Sequence, residues 1–125
     1  MEFLTNEATL FFLQRPETLP LWESIAPRLE THFPEAVMTV HKTQITFARR
    51  TGFLFLSLPP GKYAPKGGEP CIQVSFGLFR PCEHPLVFAS AQPTARRFTH
   101  HGLIRRMEDL ESLLPLLEEA YAMAI

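Results

Sequence analysis

Aspartate occurs once in these 125 residues, at Asp109, and cysteine only twice, at Cys71 and Cys82. Phosphoryl chemistry on magnesium and glycosidase chemistry both need convergent carboxylates. One aspartate, with most glutamates on helix faces, hardly supplies them. The cysteines form no C-x-x-C, which excludes a zinc ribbon or thioredoxin-type site and leaves two reduced thiols as the simpler reading. Walker A, H-E-x-x-H, G-x-S-x-G and G-x-G-x-x-G patterns are all missing. No apolar run approaches the roughly 18–20 residues that span a bilayer. The start, M-E-F-L-T-N-E, has no basic segment before an apolar one, so no secretory signal is expected and the expected location is the cytoplasm.

What is present is a hydrophobic content of 46% with 20% charged residues, the balance of an ordinary globular protein. A chain of this length is expected to form one domain, residues 1–125. Charge is unevenly distributed. Residues 1–40 hold two Arg against six Glu, a balance of −4. Residues 41–106 hold ten Lys/Arg against two Glu, or +8, and residues 107–125 carry −5. Such a pattern marks either an anion-binding face or acidic helices packed across a basic sheet.

Periodicity gives the order of elements. Thr5 or Asn6 caps a short helix running to Arg15, and Pro16-Glu17-Thr18 opens a second. Leu19, Trp22, Ile25, Ala26, Leu29 and Phe33 form its apolar stripe, with Pro27 expected to kink or split it. Strand patterns follow over Ile45–Arg50 and Phe53–Leu58, linked by Thr51-Gly52. F-L-F-L-S-L reads as a central strand covered on both faces. Residues 59–70 form a Pro/Gly-rich loop bearing Lys62, Tyr63 and Lys66. Ile72–Leu78 alternates cleanly, and Leu86–Ala89 and Arg97–Ile104 are two more strands about a turn near Gln92-Pro93-Thr94. Met107, Leu110, Leu114, Leu117, Tyr121 and Ala124 define a closing helix, with a bend or restart expected at Pro115. The fold class expected is α+β: two N-terminal helices, a mainly antiparallel sheet of about five strands and one C-terminal helix.

One stretch resists this scheme. In V-H-K-T-Q-I-T-F-A-R-R, four polar residues from His41 to Gln44 interrupt strand-type sequence. Val40 and Ile45 have opposite parity, so both are buried only if the pleat breaks between them or both faces are covered. Metal binding by Cys82, Glu83, His84, His100 and His101 lacks paired-ligand spacing, and adjacent strand histidines point to opposite faces. One histidine buried with a partner and one exposed is the simpler expectation. R-T-G-F-L-F-L echoes an RNA-recognition strand, but no helix follows where that fold needs one. The doublets Arg49-Arg50, Arg96-Arg97 and Arg105-Arg106 would hold phosphates only if clustered.

H-K-T-Q-I-T-F-A-R-R-T-G-F-L-F-L, followed by a Pro/Gly loop and then R-R-F-T-H-H before a final helix, resembles a small bacterial family of unknown function. That family carries a similar K-T-x-I-x-F segment and a T-H-H segment, and the resemblance covers nearly the whole chain in element order. Its members are sometimes labelled predicted transport proteins, and it looks related to the YdhG-like group, some of whose members are labelled iron chaperones. The matching residues are Lys42, Thr43, Gln44, Ile45, Thr99, His100 and His101, while the cysteines lie outside the shared pattern. The resemblance ties the two segments together without implying an activity.

The leading expectation is a noncatalytic cytoplasmic binding domain. Its ligand site is a basic and polar patch on the sheet drawn from Lys42, Gln44, Arg97, His100, His101 and Tyr63. The partner class is a small anion or an acidic protein, with nucleic acid disfavoured, no membrane, no metal or cofactor, and an oligomer permitted. One alternative is an enzyme with a histidine general acid/base and Lys42 stabilising an oxyanion, which requires the two groups within about two strand spacings, roughly 10 Å. Another is an interaction module whose acidic helices dock a basic partner.

Overall fold

A computed structural model describes residues 2–60 and 68–124. Lys62, Tyr63 and Lys66 therefore lie outside the described residues. The first helix, α1 (Asn6–Phe12), starts where Thr5, in an extended conformation, accepts the Ala8 N–H on its hydroxyl at 3.2 Å. It stops three residues short of Arg15, because Pro16 pushes the preceding residue out of helical geometry. A 3₁₀ turn over Pro16–Thr18 follows. The buried Thr18 hydroxyl donates to the carbonyls of Arg15 (2.7 Å) and Phe12 (3.1 Å), tying the turn to the end of α1.

Helix α2 (Leu19–His32) runs unbroken through Pro27, and α3 (Met107–Met123) runs unbroken through Pro115. The split expected at Pro27 and the restart expected at Pro115 do not occur. Both prolines are exposed, as are Glu23 and Glu111 four residues earlier, so water can reach the carbonyls that lose their N–H partner. Helix α2 buries Leu21 along with Trp22, Ile25, Ala26 and Leu29. Helix α3 buries Leu110, Leu113, Leu114, Leu117 and Ala120. Among the described residues no helix is long and apolar enough to cross a membrane.

Six strands form one antiparallel sheet: β1 (Val37–Val40), β2 (Ile45–Ala48), β3 (Gly52–Ser57), β4 (Ile72–Leu78), β5 (Val87–Thr94) and β6 (Arg97–Ile104). Their spatial order is β1-β2-β3-β4-β6-β5. The polar interruption after Val40 is a turn. The His41 N–H donates to the Gln44 carbonyl at 2.8 Å, and Val40 pairs directly with Ile45. The turn near Gln92 moves two residues on, to Ala95-Arg96, and leaves Pro93 inside β5. An edge strand tolerates that proline, since β5 pairs only with β6 and its register already shifts between Ala91 and Thr94.

Two rows of paired residues cross the sheet, one on each face. Phe47, Leu54, Phe76, His100 and Ser90 face the helices. Thr46, Phe55, Ser75, His101 and Ala89 face the other way. The register shifts between Phe47 and Ala48, which inserts Phe53 as an extra residue in β3. Phe53 and Leu54 are consequently both buried, with the Phe53 ring 5.2 Å from Phe33 and 5.1 Å from Tyr121. β3 is interior, but Phe55 and Ser57 on its far face are only half-buried, so it is not covered equally on both sides. One apolar cluster runs from Phe3 to Ala124, with Trp22 at its centre stacked on Phe12 at 4.9 Å.

Candidate functional site

The sheet separates the candidate residues into three places. His100 lies on the helix side, 1% exposed. Its Nε2 lies 3.0 Å from the Arg80 carbonyl, which can only accept, so Nε2 carries the proton. Nδ1 then accepts from the Ser90 hydroxyl at 2.7 Å. Phe98 lies parallel to the ring at 6.3 Å and Phe76 flanks it at 5.5 Å. Both nitrogens are occupied, and the imidazole fastens β6 to β5 and to the end of β4.

His101, the next residue, faces the far side. Its Nδ1 is 2.7 Å from the Ser75 hydroxyl directly across on β4. Burial pushes its pKa below the ordinary histidine value of 6.5, helped by the neighbouring His100. A serine and histidine at this distance suggest a nucleophile and its base, but Ser75 is only 7% exposed. Among the described residues no carboxylate hydrogen-bonds the ring to orient it, as a working triad requires.

Lys42 stands exposed in the β1–β2 turn, and Gln44 immediately precedes β2, its amide 3.4 Å from the Thr46 hydroxyl. β3 and β4 lie between β2 and β6. Three strand spacings amount to about 14 Å, beyond the limit for a shared reacting atom. The expected union of Lys42 and Gln44 with the T-H-H histidines is therefore corrected, and the enzyme reading built on Lys42 and a histidine falls with it. The obstacle is strand order. His100 is further removed, being on the opposite face.

Lys42 has a different companion. With Phe11, Gln14, Arg15, Thr43 and Leu58 it lines a cavity of about 310 Å³ between the end of α1 and the turn. Arg15 is held there by its own backbone, whose carbonyl accepts both the N–H (2.9 Å) and the hydroxyl (2.7 Å) of Thr18. Gln14 donates its amide to the Phe11 carbonyl at 3.0 Å. No carboxylate lines this hollow, and neither cation has an ion pair among the described residues. Sequence reading missed Arg15 because it sits in an inter-helix link, far along the chain from Lys42. Its one signal is position before Pro16, where the chain must leave the helix.

Arg97 lies at the opposite end of the sheet, paired with Thr94, and lines a separate cavity of about 130 Å³ with Phe55, Gly77, Phe79, Thr99 and Met123. Much of the remaining charge is consumed internally. Glu111 meets Arg28 at 2.6 Å, Glu118 meets His32 at 2.8 Å, and Glu119 meets Arg80 at 2.7 Å. Arg49 lies 3.6 Å from Glu35 and 4.6 Å above the Tyr121 ring. The acidic closing helix thus binds the second helix and one basic loop, which accounts for part of the charge asymmetry. The adjoining arginines hold the Glu111 and Glu119 carboxyls below the usual range.

The potential metal ligands do not converge. His84 accepts the Leu86 N–H on Nδ1 at 3.1 Å and sits 3.2 Å from the Ser112 carbonyl through Nε2. Cys71 and Cys82 are free thiols whose pKa values burial raises. Among the described residues no three His, Cys, Asp or Glu side chains group as a metal site.

Fold and cavities together define an α+β protein whose helices back one face of an antiparallel sheet, with cationic hollows at the two ends of that sheet. The chain belongs to the family described as a domain of unknown function, DUF5655, whose model matches residues 8–124. A search of curated proteins and a search of solved structures found no match.

Proposed function

We propose that the protein is a single-domain, noncatalytic binding module whose ligand is a small multivalent oxyanion, held between Arg15 and Lys42. The observation that carries this reading is the pairing of two cations around one hollow that, among the described residues, no carboxylate lines. Arg15 presents a planar fork suited to two oxygens, and Lys42 adds a mobile point charge. The Thr43 hydroxyl is a further donor within the same wall. This moves the site from the sheet face to its end, and keeps Lys42 while releasing Gln44 and the histidines. A bacterial origin, a cytoplasmic location and a tie to the YdhG-like group belong to the same proposal, supported by the K-T-x-I-x-F and T-H-H segments.

Titration of the protein with inorganic phosphate, followed by amide chemical shifts, tests it. Shifts should concentrate at Gln14, Arg15, Lys42 and Thr43, weaken with added salt, and lose about tenfold in affinity in Lys42→Ala or Arg15→Gln. Phosphate that shifts nothing in this hollow, or binds both variants as tightly as the wild type, sinks the reading.

A separate observation favours an interaction module as second reading. Leu10 on α1 is 67% exposed and Leu13, which caps that helix, 44%, beside the acidic Glu7. Lysine at both leucines should leave the melting temperature within a few degrees and abolish capture of a basic amphipathic peptide. Unchanged capture, or none by the wild type, removes this alternative.

A further inference from the structure

The cavity at the Arg97 end differs in kind from the Arg15 hollow. Its walls are about equally polar and apolar, with Phe53, Phe55, Phe79 and Met123 set around one guanidinium and the hydroxyls of Thr51 and Thr99. Among the described residues no acidic side chain lines it and Arg97 has no ion pair. Phe79 is 57% exposed and lines the cavity.

Gly77 sharpens the picture. It lies within β4 directly opposite Thr99, and glycine inside a strand weakens it relative to alanine. Such a glycine commonly marks close approach by another backbone or by a ligand. Among the described residues, its chain neighbours aside, the only atom within 4 Å of a β-carbon built at Gly77 is the Phe98 carbonyl oxygen, at 3.9 Å. No neighbouring backbone demands the glycine. Its missing side chain leaves cavity.

We propose that this cavity binds a small aromatic monocarboxylate, with Arg97 and Thr99 taking the carboxylate and Phe55 and Phe79 flanking the ring. The volume of about 130 Å³ is close to the roughly 150 Å³ that accommodates a benzene ring in an engineered protein cavity. A forked guanidinium matches a carboxylate with two parallel hydrogen bonds, and the phenylalanines in the wall offer an aromatic ligand contacts that a bare inorganic anion cannot make. The site is distinct from the Arg15 hollow and shares no residue with it.

Benzoate titrated into the full chain is the test, read by amide and Met123 methyl shifts. A dissociation constant on the order of 1 mM suits so small a ligand. Shifts should centre on Gly77, Arg97, Thr99 and Met123. Benzyl alcohol, which keeps the ring and loses the charge, should bind at least about tenfold more weakly, as should benzoate to Arg97→Gln. Gly77→Val fills the cavity and should abolish the shifts. Should that variant misfold, Arg97→Gln decides alone, since its side chain is exposed. No benzoate shifts in this cavity, equal binding of the alcohol, or undiminished binding by Arg97→Gln overturns the proposal. Phosphate run in parallel keeps the two sites apart, because its binding should respond to Lys42→Ala and ignore Arg97→Gln.

Discussion

His100 and His101 are consecutive on one strand, carry the same side chain, and each accepts or shares a hydrogen bond with a serine at 2.7 Å. The pleat sends them to opposite faces, and everything else about them diverges. His100 is sealed among Phe76, Phe98 and the helix-side core, with a carbonyl fixing its tautomer. His101 is half-buried on the face with no helix against it, near Phe88 at 6.4 Å, and Ser75 is its one hydrogen-bond partner among the described residues. A T-H-H motif thus contains one structural fastener and one group whose charge state solvent can reach. Any account that treats the pair as one site merges two environments.

The widest gap between them should appear on deletion. His100→Leu removes both hydrogen bonds of a ring that is 1% exposed, to the Arg80 carbonyl and the Ser90 hydroxyl, each worth about 0.5–1.5 kcal/mol. Urea unfolding should show a loss of about 2 kcal/mol, against about 1 kcal/mol or less for His101→Leu. Equal losses would mean the two faces are equally buried. A smaller effect comes from the serines. Ser90→Ala leaves Nδ1 of a buried ring without its donor and should cost about 1–2 kcal/mol. Ser75→Ala frees a nitrogen that water can reach, and should cost less than Ser90→Ala in the same experiment.

Much of this was legible before the fold was known. Alternation in I-Q-V-S-F-G-L fixed which β4 residues face the core, and the parity clash between Val40 and Ile45 announced the break that the structure resolves as a turn. The same parity rule put the two histidines on opposite faces. Other features depend on partners that local sequence does not name. The extra residue at Phe53 exists only relative to β2, and the inclusion of Pro93 in a strand is permitted only because β5 falls at the edge. The distance from Lys42 to the histidines depends on β3 and β4 lying between, a non-local fact. Arg15 joined the candidate hollow for the same reason, since the packing of α1 against the sheet places it beside the turn.

The smallest expected effect separates the histidines by charge. Burial lowers the His101 pKa below 6.5, with the neighbouring His100 adding to it, so the folded chain holds this ring neutral where the unfolded chain begins to protonate it. Below 6.5 the unfolded state therefore binds more protons, and stability rises with pH through that window. The contribution is fully present above 6.5 and is lost as pH falls through the lower folded value. Since the ring is partly solvated, the change is modest and screened by salt. Urea midpoints measured from pH 7.5 to pH 5 should fall in the wild type and fall less in His101→Gln, which keeps a polar group beside Ser75 and cannot titrate. Identical slopes would place the titration elsewhere. A steeper slope in the variant would mean that His101 gains a proton on folding, contrary to its desolvation beside Ser75.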